Sequence, residues 1–326
     1  MRKLKREASK LFKRTYNRFL SKAVILLYHR VSDTKNDPQL LCVSPENFKD
    51  QLVFLKSNFT ILSLNELVTT LDDRKIPDRS VVVTFDDGYA DNLHNAKPIL
   101  ESTKTPATIF ITSGKLGDKK GFWWDELNCY MLSQNHFYPN SLQLIIEDRT
   151  YEWSVKSKKE RYLAYSDLIE LLRPLPSISR DNTIDQLCTW ARLPKNNMAE
   201  NRILTVSELD DLSKGEFIEI GAHSVTHPLL NQKPLNVLKN EIFESKKTLE
   251  RIVKRPICFF SYPYYINPKG KSTAANLVKE IGFKCGCANF AMPVTRFSDR
   301  YRLPRCIVRN WDSIEFSSRI EKIFTG

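Results

Sequence analysis

The 326-residue sequence is defined first by what it lacks. No apolar run approaches the roughly 20 residues that a membrane-spanning helix needs, and no internal repeat divides the chain. Its seven cysteines (42, 129, 188, 258, 285, 287 and 306) are odd in number and never fall in a C-x-x-C pair, which argues against a disulfide framework or a structural zinc site. Cys258, Cys285, Cys287 and Cys306 stand in apolar, strand-like contexts where buried thiols are common, and a reducing compartment fits them. Histidine is scarce, five in the whole chain, so two that fall close together carry information. A secretory leader is not indicated. The apolar run near the start, residues 23–28, is short, and no small-residue cleavage site follows it.

What is present begins with charge. The formal net charge is +12, but residues 1–22 alone hold nine Lys or Arg against Glu7, a net of +8, which leaves +4 for the rest. A generally basic, nucleic-acid-binding surface is therefore not expected. In the same segment Leu4, Ala8, Leu11, Phe12, Tyr16, Phe19 and Leu20 follow steps of three, four and one, which is one helical face, and basic residues fill the other. An amphipathic cationic helix of this kind lies on an anionic membrane surface; a helix packed on the domain with its basic side exposed is the other reading. The remaining 41% hydrophobic and 11% aromatic composition supports a packed core, and the length suits one large domain or a domain with an insertion.

Along residues 23–326, strand-like and helical stretches alternate. Residues 24–31, 81–85, 107–112, 217–221, 257–260, 284–288 and 303–308 read as strands. Helices are expected from Ser44-Pro45-Glu46 onward (with Phe48, Leu52 and Leu55 on one face), over 64–71, 91–100, 235–253 and 272–281, after the capping pair Thr205 and Glu208, and at the C-terminus. The alternation predicts an α/β fold with a largely parallel sheet wrapped by helices. The order breaks over residues 114–204, read as a mostly helical insertion with a hairpin around 142–153 and a Lys-rich helix over 155–172. Trp123 and Trp124 within it suit a sugar-stacking platform and hydrophobic anchoring equally well.

The chemistry centres on Thr84-Phe85-Asp86-Asp87-Gly88. Two adjacent carboxylates at the carboxyl end of a strand repel each other, and a cation is the simplest remedy. One Asp would then bind a metal and its neighbour act as a base; an ordinary Asp-Gly turn is the plain alternative. His223 and His227 are spaced i, i+4, which puts both imidazoles on one face if the segment begins a helix, and a structural pair is again the plain alternative. Two imidazoles and one carboxylate with open positions make the layout of a catalytic zinc.

With Thr84-Phe85-Asp86-Asp87-Gly88, His223-Ser224-Val225-Thr226-His227 and Tyr262-Pro263-Tyr264 in this order, the chain resembles the polysaccharide deacetylases (carbohydrate esterase family 4) over residues 24–310, the insertion fitting least. The resemblance implies a distorted or incomplete (β/α) barrel. It also implies that Asp87, His223 and His227 hold a divalent metal, usually zinc, that Asp86 is the general base, and that the backbone N–H of Tyr264 helps hold the oxyanion. Two departures matter. Ser261 stands where many members carry an Arg that steadies the catalytic Asp, and Arg305 is the candidate substitute. No His follows His227, but Tyr28-His29-Arg30-Val31 resembles the subgroup of poly-N-acetylglucosamine deacetylases that carry a His at the end of the first strand. His29 is thus the expected acid, ahead of His94 and His136. Tyr264, Trp124 and Arg305 are the expected substrate-binding residues.

The expectation is a metal-dependent N-deacetylase acting on an N-acetylhexosamine of a glycan. The cationic segment and the free thiols favour a cytoplasmic protein peripheral to the inner face of the membrane, working on a lipid-linked, lipopolysaccharide-core or surface-polysaccharide precursor. A deacetylase of soluble chitin- or peptidoglycan-type oligosaccharides, and a non-catalytic glycan-binding protein on the same fold, are the competing readings.

Overall fold

The computed structural model describes residues 21–34, 36–133, 136, 138–194, 201–264 and 272–325. All but the last two residues of the expected amphipathic segment, 1–22, lie outside the described residues.

The main sheet contains β1 (Ala23–Tyr28), β2 (Ser80–Phe85), β3 (Ala107–Ile111), β4 (Ile218–Ala222), β5 (Phe259–Ser261), β6 (Cys285–Ala288), β7 (Leu303–Pro304) and β8 (Cys306–Ile307). Their lateral order is β7-β6-β5-β4-β3-β2-β1-β8, with every neighbouring pair parallel. Arg305 alone separates β7 from β8. One stretch of chain thus pairs first with β6 (Cys287 opposite Leu303) and then with β1 (Leu26 opposite Cys306), closing the sheet into an irregular barrel. The single strand expected over 303–308 is split because it must serve both edges.

The strands are long apolar runs because both of their faces are covered. Period-two alternation sorts their side chains into two layers. Ile25, Val82, Phe110, Phe259, Cys285, Cys287 and Leu303 cluster with Leu64, Leu67 and Val68 of helix α2 (Leu64–Asp72, which follows α1, Pro45–Asn58). The alternate residues Val24, Leu26, Val81, Val83 and Phe85 cluster instead with Phe48, Leu52 and Leu55 of α1.

The expected helix over 91–100 begins as a π-helical turn, Asn92–Ala96, and continues as α3 (Lys97–Ser102). Pro98 has no N–H to donate, so the regular ladder is interrupted there.

Between β3 and β4 the chain forms α4 (Trp123–Leu132), an antiparallel hairpin (Ser141–Ile146 with Arg149–Ser154), α5 (Lys158–Leu172) and α6 (Ser177–Ala191). Glu147 and Asp148 both have positive φ, as a tight two-residue hairpin turn requires. This insertion has its own apolar core, in which Phe122, Trp123, Trp124, Leu142, Leu168 and Leu187 pack together with Tyr89 from the barrel. The chain then returns through α7 (Val206–Ser213), capped by Thr205 and Glu208 as expected, then α8 (Leu235–Val253), α9 (Thr273–Glu280) and α10 (Ser313–Thr325).

Candidate active site

The carboxyl ends of parallel strands are where loops converge on a barrel mouth. Asp86 and Asp87 follow β2, His29 follows β1, His223 follows β4, and Ser261 closes β5. At Asp87 the backbone enters the left-handed region (φ 81°), followed by Gly88 at 86°. A side chain other than hydrogen at Gly88 would meet Ile111 at 3.0 Å, so glycine fits both the dihedral and the space. Holding a non-glycine residue in that region costs about 1 kcal/mol or more, an expense typical of functional turns.

Asp87 Oδ1 lies 3.5 Å from His223 Nε2 and 3.4 Å from His227 Nε2. It is buried and accepts no hydrogen bond. His223 Nδ1 donates to the Ser261 carbonyl at 2.8 Å, which fixes the tautomer and leaves Nε2 as a lone-pair donor toward Asp87. One ligand atom from each of Asp87, His223 and His227 falls within 4.8 Å of the others, the one such cluster among the described residues. An orphaned carboxylate oxygen facing two imidazole nitrogens fits a divalent cation. Burial also pushes the His227 imidazole down to about 3 despite the charge of Asp87, so it stays neutral and free to ligate.

The two histidines do not sit on a helix. Residues 223–227 form a loop with positive φ at Ser224 (63°) and His227 (55°), and the rings meet because the loop doubles back, with centroids 4.9 Å apart. The i, i+4 spacing was therefore informative for a reason other than helical geometry. Ser224 Oγ accepts from His227 N at 3.0 Å. Glu241, buried on α8, accepts from Val225 N (2.8 Å), Thr226 N (2.9 Å) and Thr226 Oγ1 (2.7 Å). Sequence reasoning missed Glu241, although a Glu on the Leu238–Ile242–Leu249 core face of a helix was a legible anomaly.

Asp86 is held from behind. Arg305 Nη1 donates to Oδ1 at 2.7 Å and Nη2 to Oδ2 at 2.6 Å, while Nη2 also reaches Ser261 Oγ at 2.7 Å. Ser261 Oγ itself donates to Asp86 Oδ2 at 3.1 Å. Burial alone would raise the Asp86 carboxyl; the Arg305 guanidinium, with His223, holds it well below the usual carboxylate range. Arg305 was expected among the substrate-binding residues, and here the structure differs. Its side chain is 0% exposed behind Asp86, so it positions the carboxylate, in the space the small Ser261 leaves.

His29 is half-buried at the mouth. Burial lowers its pKa, while the charges of Asp87 and Asp86 oppose that shift. His94 pairs instead with Glu208 at 3.0 Å on the surface, and His136 Nε2 donates to the Ala191 carbonyl at 2.6 Å. Tyr264 also has a positive φ (57°), and its ring meets His227 edge-on at 4.6 Å. Trp124 is no open sugar platform. It is 5% exposed, stacked on Phe122 at 4.4 Å, bonded through Nε1 to Tyr89 Oη (2.9 Å), and edge-on to His227 at 5.0 Å. It forms a wall behind His227. Behind that wall, Asp125 accepts from Tyr89 Oη and Phe122 N through one oxygen, and burial pushes its carboxyl up to about 7.

Comparison with known proteins bears on the family and the fold. The family model described as polysaccharide deacetylase matches residues 73–143 and 193–286, leaving out most of the insertion. A poly-beta-1,6-N-acetyl-D-glucosamine N-deacetylase of Staphylococcus aureus (strain N315) is 34% identical over 110 residues, 30% of this chain and 38% of that protein. The aligned part spans little more than a third of the length of the curated relatives. Two solved structures share the fold. A Streptococcus pyogenes deacetylase in complex with acetate superposes with a TM-score of 0.59 at 17% identity, covering 92% of this chain and 98% of that one. IcaB from Ammonifex degensii does so with a TM-score of 0.59 at 15% identity, covering 94% and 98%.

Proposed function

From a chain that belongs to the polysaccharide deacetylase family, we infer a metal-dependent N-deacetylase that hydrolyses the acetamido group of an N-acetylhexosamine in a glycan. One observation carries the reading: a buried Asp87 oxygen with no hydrogen-bond partner faces two imidazole nitrogens, beside a second carboxylate clamped in its ionised form. A glycan-binding protein would need neither the second carboxylate nor its clamp.

Asp87, His223 and His227 would hold the cation, and zinc suits two imidazoles and a carboxylate. When bound, such an ion supplies Lewis acidity, lowering the pKa of water and polarising a carbonyl. Asp86, kept ionised by Arg305, takes the proton of the attacking water as its oxygen adds to the acetamido carbon. The backbone N–H of Tyr264, on a strained turn beside His227, is assigned to the developing oxyanion. His29 delivers a proton to the amine nitrogen as the C–N bond breaks, and acetate and a free amine leave. Burial lowers the His29 pKa overall, and the charges of Asp87 and Asp86 offset part of that cost to the imidazolium that this step needs.

The Staphylococcus relative supports an N-acetylglucosamine polymer as the substrate type. The basic segment 1–22 and the free cysteines favour the finer reading, a lipid-linked or surface-polysaccharide precursor met at the cytoplasmic face of a membrane. Acetate release from membrane-extracted glycolipid, compared with soluble N-acetylglucosamine and chitin oligomers, tests it. Preference for glycolipid, and loss of membrane partitioning when residues 1–20 are deleted, are expected; activity on soluble oligomers alone would return the substrate to the soluble class.

A further inference from the structure

The insertion brings to the site a charge that the deacetylation chemistry does not use. Arg180, on α6, is 5% exposed. Its Nη1 is buried without an acceptor, and among the described residues no carboxylate pairs with it. The guanidinium lies over the Trp123 ring at 5.6 Å, and its charge bears on both His227 and Tyr264. Trp123 is edge-on to Trp124 at 5.5 Å, which in turn meets His227. The group is therefore anchored next to the candidate metal ligands.

Two more polar atoms lie beside it. Trp123 Nε1 and Tyr264 Oη are buried and close to each other, and beyond that mutual contact neither has a hydrogen-bond partner among the described residues. Arg173 adds a second positive charge over the Tyr264 ring at 5.7 Å, though Glu170 already engages its Nη1 at 3.0 Å. A buried guanidinium without a counter-charge is costly, and buried donors in native proteins almost always find acceptors. A guanidinium fork and an indole N–H donate, and a phenolic O–H donates as well as accepts, with no anionic group among them. Their chemical complement is a ligand rich in negatively charged oxygen.

We propose that Arg180, Trp123 Nε1 and Tyr264 Oη form an anion-recognising subsite beside the deacetylation centre, and that the preferred substrate carries a phosphate or carboxylate close to its N-acetylhexosamine. The proposal rests on the deacetylase reading for the identity of the sugar, and on the unpaired donors for its charge. Recognition of a phosphate would suit a sugar phosphate or lipid-phosphate-linked sugar, and recognition of a carboxylate a neighbouring uronate.

The test compares kcat/KM of the metal-loaded full chain, and of its Arg180→Gln and Arg180→Lys variants, on three substrates: a neutral N-acetylglucosamine oligomer, the same oligomer bearing a 1-phosphate, and an N-acetylglucosamine–glucuronate oligomer. The wild type is expected to prefer one of the two anionic substrates, and which one identifies the anion. Arg180→Gln should lower the anionic-to-neutral ratio by about 10- to 100-fold, chiefly through KM, and Arg180→Lys should restore part of it. Equal losses on all three substrates, or a wild type that does not discriminate, would overturn the subsite. Calorimetric binding of the same sugars separates this from the underlying reading. Arg180-dependent binding of the anionic sugars without acetate release keeps the subsite and removes the deacetylase; acetate release indifferent to Arg180 does the reverse. Thermal unfolding of both variants checks that the insertion remains folded.

Discussion

Replacing Arg305 with Met removes the partner of Asp86 while keeping an apolar stem of similar length. Arg305 makes two charge-assisted bonds to the carboxylate, at 2.7 and 2.6 Å, and a third to Ser261 Oγ at 2.7 Å. With the two side chains 0% and 4% exposed, water cannot take over these contacts. Two such bonds are worth about 1.5–3 kcal/mol each, in line with the roughly 3–5 kcal/mol lost when a buried ion pair is broken on one side. Urea denaturation of metal-free Arg305→Met should show a loss of that size. Asp86→Asn alone should also destabilise, because it leaves the guanidinium buried without its counter-charge. The double variant removes both charges, so its loss should fall short of the sum of the single losses by about 2 kcal/mol or more. Additive losses, or an Arg305→Met penalty below about 1 kcal/mol, would mean that Arg305 is not the partner of Asp86.

Three further outcomes follow from named contacts. Glu241→Gln weakens the grip on the Val225 and Thr226 amides and should lower metal affinity by about 10-fold or more in chelator competition, as outer-shell losses do; unchanged affinity would remove Glu241 from the support of the site. Asp125, with its carboxyl raised to about 7 by burial, stays protonated in the folded chain while the unfolded chain ionises near pH 4. The Asp125 contribution to stability should therefore fall as pH rises from about 4 to about 7, by an amount on the order of 3 kcal/mol, and then level off, on top of what His227, Glu126 and Glu219 contribute across the same range. The stability difference between the wild type and Asp125→Asn, whose amide oxygen can still accept from Tyr89 and Phe122, should carry that pH dependence; a difference that does not change with pH would assign the titration elsewhere. His29→Ala should cost about 100-fold in turnover with metal content intact, and near-normal turnover would remove His29 as the proton donor.

The strand-to-loop junctions were readable before the structure because each was written in neighbouring residues: β-branched runs ending in Asp86-Asp87-Gly88, or in His223. The Thr205–Glu208 cap and the hairpin were readable for the same reason. What stayed hidden depends on contacts distant in the chain. Arg305 was named as the substitute for an Arg at position 261 only through the family resemblance; nothing local in the sequence shows its two-pronged grip on Asp86, which reaches across the closed barrel because β7 and β8 flank Arg305 on the stretch that seals the sheet. The two histidines converge through a loop whose positive φ values no spacing rule reveals, and Glu241 holds that loop from a different helix. Trp124 suited a sugar platform and a buried anchor equally well in the sequence, because its burial depends on the insertion folding over the mouth. Arg180 gave no local signal, since an arginine on a polar helix is ordinary until the helix is seen to bury it.

The central claim, that Asp87 is a ligand and Asp86 a base, divides cleanly between two single substitutions. Asp87→Asn and Asp86→Asn are loaded with zinc, dialysed, analysed for bound metal, and assayed for acetate released from an N-acetylglucosamine oligomer. The account predicts that Asp87→Asn loses both metal and acetate release, whereas Asp86→Asn keeps stoichiometric metal and loses turnover by about 100-fold or more. An Asp86→Asn protein that still turns over, or an Asp87→Asn protein that holds zinc as the wild type does, would contradict it.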